Sequence, residues 1–150
     1  MATIFSTKQN NNTINLALLL LRVIFGLTML FHGYNKLVNF TTMSQSDFWT
    51  KDINFLGLGG AVSLGLVVFA EFFCALFLII GLATRPALLV LIFCMAYALF
   101  ATHKGQIFEY GKDGNLEGLE SSFLYLVYYG ILLLTGAGSY SVDKFLFKNK

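Results

Sequence analysis

Polar and apolar residues along this chain separate into long blocks, without the period-2 alternation of a half-buried strand. Four apolar blocks stand out, at about 16–37, 57–81, 86–102 and 121–142. Each lies in or close to the roughly 17–25 residues that a helix needs to cross a bilayer. The pattern predicts an all-α, integral membrane four-helix bundle, a single domain over 16–150 behind a polar tail at 1–15. The link between the second and third blocks is very short. Gly81 can close one helix in a left-handed cap, and Thr84 can cap the next with Pro86 in its first turn. Those two helices must form an antiparallel hairpin. The loop 38–56 carries Phe40, Phe48, Trp49 and Phe55. It reads as a short interfacial helix with rings anchored at headgroup level. The loop 103–120 is polar and glycine-bearing, with Phe108 and Tyr110 as further anchors.

Composition agrees with a membrane protein. Hydrophobic residues make up 57% and charged residues 12%, whereas soluble domains carry about a quarter charged residues. The formal net charge of +2 and the lack of a basic tract argue against nucleic acid as a partner. Cys74 and Cys94 fall in separate apolar blocks with neither Cys-x-x-Cys nor zinc spacing, so both are expected as buried thiols and no metal site is expected. The Leu-rich start of the first block meets Arg22 and then continues apolar, with no small-x-small site, so it reads as a retained helix and not a cleaved signal.

Lysine and arginine placement sets the expected orientation. With the N-terminus inside, Lys8, Arg22, Arg85, Lys144, Lys148 and Lys150 fall on the inner side. Lys36, Lys51, Lys104 and Lys112 fall on the outer side. Both termini are therefore expected to be cytoplasmic.

The chemistry is concentrated in a few polar residues within these blocks. Glu71 is the only charge between residues 57 and 81. A carboxylate near mid-bilayer costs several kcal/mol, on the order of 2.5–3.5, unless paired, protonated or turned to a protein interior. By helical rise, Arg22 falls near the same depth, so an Arg22–Glu71 ion pair is expected. Arg22, Gly26, Met29, Gly33 and Lys36 form one small or polar stripe on the first helix, which should face the bundle. His32 and Lys36 are four apart, and Tyr125 on the last helix should lie at the depth of His32. With Glu120, Tyr128, Tyr129 and His103 they can line a cavity toward the outer end. Such a set suits proton transfer to a bound carbonyl or quinone. His32, Lys36 and Glu120 are the expected catalytic residues, and Tyr125, Tyr128 and His103 the expected lining. The competing readings are interfacial anchoring by the Lys and Tyr tips and a buried ion pair that only fixes helix register.

These residues resemble the DoxX family of small four-helix bacterial membrane proteins, over about 21–144. The first helix reads Leu21-Arg22, Gly26 and His32-Gly33-Tyr34-Asn35-Lys36-Leu37. The second carries Glu71 and ends Gly81-Leu82-Ala83-Thr84-Arg85. Met95 and Ala98 give a Met-x-x-Ala, His103 ends the third helix, Glu120 opens the fourth, and the chain closes Gly136-Ala137-Gly138-Ser139-Tyr140-Ser141-Val142-Asp143. The resemblance adds Met95 to the expected lining. It implies a multi-pass protein of the bacterial inner membrane, in contact with the lipid bilayer. It also implies a subunit or partner of a redox system linked to quinone or to thiol and sulfur metabolism, with a quinone as the small partner beside other membrane redox subunits. A non-enzymatic scaffold or assembly factor is the alternative. A small-solute or proton transporter is the weaker one.

Overall fold

The computed structural model describes residues 10–103 and 119–147. Its long elements are α1 (Asn11–Val38), a span of α3 (Gly60–Val68), a π-helical turn (Phe69–Cys74) and α4 (Ala75–Ile80), then α5 (Thr84–His103) and α6 (Leu119–Thr135). Short α2 (Phe40–Ser44) and a π turn (Phe48–Asp52) join α1 to the second span, and α7 (Val142–Leu146) follows α6. Three helices are long and apolar enough to cross a membrane, Asn11–Val38, Gly60–Ile80 and Thr84–Ala101. The 17-residue α6 is at the short end of the spanning range. The all-α membrane bundle expected from the sequence is what forms.

Three boundaries differ from expectation. The first helix starts at Asn11, inside the stretch read as a polar tail, because Asn10 supplies an N-cap whose side chain accepts from the Asn12 amide. The last long helix stops at Thr135 and not near 142. Gly136 and Gly138 adopt φ of +77° and +76°, and that backbone cannot continue a right-handed helix. The third difference lies in the hairpin turn. Gly81 does end α4 in the left-handed conformation, but Thr84 is not the side-chain cap of α5, and its hydroxyl has no partner among the described residues. Asp143 caps instead, its two carboxylate oxygens accepting from the amides of Ala83 and Thr84 at 2.7 and 2.8 Å. A carboxylate at a helix N-terminus also complements the helix dipole.

The glycine-rich segment after α6 thereby ties one end of the bundle together. The Asp143 amide donates to Gly81 O at 2.8 Å, and the Ser139 amide to the Asn15 side chain at 2.8 Å. Arg22, fully buried, donates to the Tyr140 carbonyl.

Two apolar clusters form the core. The larger joins Met29, Cys74, Ala75, Leu78, Leu88, Leu91, Met95, Tyr128, Tyr129 and Leu132 from four helices. The smaller joins Trp49, Ile53, Leu64 and Val68. Trp49 is thus not a headgroup anchor. It is 4% exposed, because the 48–52 turn folds back over α3. Phe108 and Tyr110 lie outside the described residues.

The buried residues of α1 are Arg22, Gly26, Met29 and Gly33, four of the five in the stripe read from the sequence; the fifth, Lys36, is half-buried. The two glycines set how closely α1 approaches the second span. A Cβ at Gly33 would meet the backbone of Glu71 and Phe72 at 2.6 Å, whereas one at Gly26 would meet a side-chain atom, Cγ1 of Ile79, at 2.5 Å. Gly33→Ala should therefore destabilise by about 1–3 kcal/mol through overpacking against backbone that cannot yield. Gly26→Ala should cost less than Gly33→Ala, since a side chain and not backbone must shift and alanine gains about 1 kcal/mol of helix propensity. Unfolding in mixed micelles measures both, and equal losses would contradict this packing.

Candidate functional site

Glu71 sits inside the π turn Phe69–Cys74, about midway along the span Gly60–Ile80. A π turn places one extra residue in the helix circumference and is found often at functional sites. Glu71 is 6% exposed, and its partner is Lys36, whose Nζ donates to Glu71 Oε2. The expected Arg22–Glu71 pair does not form. The reason is register together with side-chain direction. Gly33 abuts Glu71, Gly26 abuts Ala75 and Ile79, and Arg22 lies against Gly81. Ten residues separate Glu71 from Gly81, about 15 Å of helix. Helical side chains lean toward their own N-terminus. Arg22 therefore leans away from Glu71, toward the turn that holds Gly81. Lys36, one turn past Gly33, leans back onto Glu71.

Arg22 serves a different part of the fold. It bonds to Tyr140 O, and Asp143 supplies an opposing charge. Its Nε and Nη1 have no hydrogen-bond partner among the described residues.

Beside the Lys36–Glu71 pair lies a cavity of about 480 Å³, at the seam between the two core clusters. Met29, His32 and Lys36 line it from α1, Glu71 from the π turn, Met95 from α5 and Tyr125 from α6. The structure thus brings together His32, Lys36, Met95 and Tyr125, as read from the sequence. Tyr125 donates to the Thr28 hydroxyl at 2.8 Å, tying α6 to α1 at this level.

Tyr128 is not part of the lining. It stacks on Phe25 at 3.9 Å between ring centroids and faces a separate groove with Leu18, Leu21 and Thr135. Three residues after Tyr125, it is about one turn farther along α6, stacked on the Phe25 ring that Tyr125 meets edge-on. His103 ends α5 and Glu120 opens α6, but their side chains lie outside the described residues.

The cavity also uses residues that the sequence reading left out. Trp49 and Ile53 close it from the 48–53 segment, and Cys94, Tyr97 and Ser122 complete the wall. Only Cys94 carried a usable signal. It precedes Met95 in the uncharged stretch 86–102, so a wall containing one could include the other. Trp49 carried none, because a tryptophan between membrane helices normally reads as interfacial.

A double-mutant cycle separates the two pairings. Lys36→Met with Glu71→Leu should show a coupling energy above about 1 kcal/mol, the single changes leaving an unpaired charge in the span. The loss should stay below the roughly 3–5 kcal/mol of a fully buried pair, since the Lys36 side chain retains 22% exposure. Arg22→Met with Glu71→Leu should be additive within about 0.5 kcal/mol, as distant sites are. Coupling in the second cycle and none in the first would overturn the register.

Comparison with known proteins agrees with this geometry. A family model described as DoxX matches residues 17–104, which takes in α1, the Glu71 turn and α5. An uncharacterized protein of Haemophilus influenzae is 31% identical over 134 residues, covering 85% of this chain and 89% of that one. No solved structure matches the chain. With a family match over more than half its length and a relative aligned almost end to end, this four-helix membrane protein belongs to the DoxX family.

Proposed function

We propose that this chain is the bilayer-embedded subunit of a redox system in the bacterial inner membrane, and that its cavity receives a quinone-like ring. One observation carries the reading: a cavity of about 480 Å³ with largely apolar walls, into which an ion pair, an imidazole and a phenol converge. Ligand sites have this form and size, whereas a scaffold needs no such space. The donor set fits such a ring, whose two carbonyl oxygens are acceptors. Lys36 and His32 offer donors along one face of α1, while the Tyr125 hydroxyl is engaged with Thr28. When bound, a quinone supplies two-electron carrier chemistry, and the electrons come from a partner subunit.

The chain's own residues have separable roles in this reading. Glu71 fixes Lys36, whose ammonium orients and polarises one carbonyl oxygen. His32 holds or delivers a proton at the wall, the task for which imidazole is suited near neutral pH. Trp49 and Ile53 close one side of the cavity.

The chain's single tryptophan, Trp49, lines the cavity and reports binding. Titration with a tailless dimethoxy-methyl-benzoquinone should quench Trp49 fluorescence saturably. Lys36→Gln or Glu71→Gln should weaken that binding about tenfold, the worth of a charge-assisted hydrogen bond. His32→Gln keeps hydrogen bonding without proton transfer, so it should bind the ring normally yet fail to complement a deletion strain at matched expression. Absence of saturable quenching, or full rescue by His32→Gln, would move the assignment to a non-enzymatic scaffold.

The orientation belongs to the same proposal, with both termini cytoplasmic and the cavity toward the outer leaflet. In a background lacking Cys74 and Cys94, a cysteine at position 114 should react with an impermeant maleimide from outside, and one at 148 should not. Reversed labelling would invert the assignment.

A further inference from the structure

A second cavity of about 310 Å³ adjoins the first. The two share Ile53, Val67, Cys94 and Tyr97 as lining, so they are neighbouring chambers with a common wall. The second chamber runs between the Gly60–Ile80 span and α5. Its mouth is framed by Leu66 and Phe69 on one helix and Val90 and Phe93 on the other. These four are 48%, 49%, 36% and 59% exposed and stand about one third to one half of the way along their spans. The mouth therefore opens sideways toward lipid chains. The lining is almost wholly apolar. The one serine in it, Ser63, is already committed, accepting from the Phe55 amide and donating to Gly59 O, both at 2.9 Å.

The charge of the first chamber constrains what can occupy it. Lys36 and Glu71 cancel one another, and His32 is the other titratable nitrogen among its described lining. An anionic headgroup would compete with Glu71 for Lys36 and leave a carboxylate unpaired in the span, which is costly. A neutral head bearing carbonyl or hydroxyl oxygens adds no such charge.

From these two chambers we infer that the ligand is a membrane lipid with a compact neutral, oxygen-bearing head and a long apolar tail. The head lies against Lys36 and His32. The tail passes between the shared side chains of Ile53, Val67, Cys94 and Tyr97 and leaves through the groove between the second span and α5 into the bilayer, so that ligand enters from the membrane and not from water. The inference rests on the ring-binding reading of the first chamber and adds to it the tail, its path and the neutrality of the head.

Two rings test it on the full-length protein, the tailless dimethoxy-methyl-benzoquinone and the same ring carrying a decyl chain, each read by Trp49 quenching at one fixed detergent concentration. In the wild type the decyl chain should tighten binding by about tenfold or more, as burial of several methylenes implies. Val90→Phe and Leu66→Phe place a larger side chain at the mouth from exposed positions that the fold can spare. Each should leave the tailless ring unaffected and bring the decyl ring to within about threefold of it. Leu89→Phe is the control, because Leu89 is 57% exposed and lies outside the lining of both chambers. It should retain the full gain. A tail gain that survives both mouth variants overturns the groove. Displacement of the decyl ring by phosphatidylglycerol overturns the neutral head. If even the tailless ring fails to quench Trp49, the cavity reading of the preceding section falls and this inference with it, a result distinguishable from failure of the groove alone.

Discussion

A carboxylate halfway along an apolar span must be neutralised, and this fold is arranged so that Lys36 does it. The ion pair requires α1 to lie against the π turn at the level of Gly33, close enough that a Cβ there would collide with the Glu71 backbone. Gly33 is thus as necessary to the pair as the two charges. The π turn rotates the Glu71 side chain within its helix, and the lean of a helical lysine toward its N-terminus closes the remaining gap. Because one partner keeps 22% exposure, the pair stands at the edge of the cavity and can face a ligand. A fully enclosed pair would be inert.

The opposite end of the bundle handles a buried charge differently. Arg22 has no carboxylate in hydrogen-bond contact among the described residues. It is held by the Tyr140 carbonyl on the segment that also brings Asp143 to the start of α5. One short glycine-containing stretch thus accepts one hydrogen bond from an arginine, caps a helix and pins a hairpin turn. Its glycines at 136 and 138 allow the chain to reverse after α6, which a continued helix would prevent. The division is physical: one end is tied by hydrogen bonds from the segment after α6, and the other holds the ion pair at a cavity edge.

Much of the fold could be read directly from the residues. The length of the apolar blocks set the helix count, Gly81 marked the hairpin, and the Arg22–Gly26–Met29–Gly33 stripe named the buried face of α1. The site was half legible. Spacing of four brought His32 and Lys36 together, and Tyr125 followed from depth. The partner of Glu71 was not legible from depth alone, because rise per residue ignores the direction in which a side chain leans. On that single point Arg22 and Lys36 exchange roles. Trp49 was illegible for another reason. The loop after α1 folds inward only because α3 offers Leu64 and Val68 to pack on, a tertiary contact with no local signature. Tyr128 shows a third limit, since a neighbour three residues away on a lined helix can stack on the same facing helix yet line a different groove.

The account depends above all on Lys36, and not Arg22, neutralising Glu71 in the membrane. Dipolar recoupling solid-state NMR in lipid bilayers, with ¹⁵N on lysine and arginine side chains and ¹³C on glutamate carboxyls, measures this contact directly. The account predicts a lysine Nζ–glutamate carboxyl coupling at ion-pair distance, lost in Lys36→Met and in Glu71→Gln and unchanged in Arg22→Met. A glutamate carboxyl coupled to an arginine guanidinium and removed by Arg22→Met would contradict it.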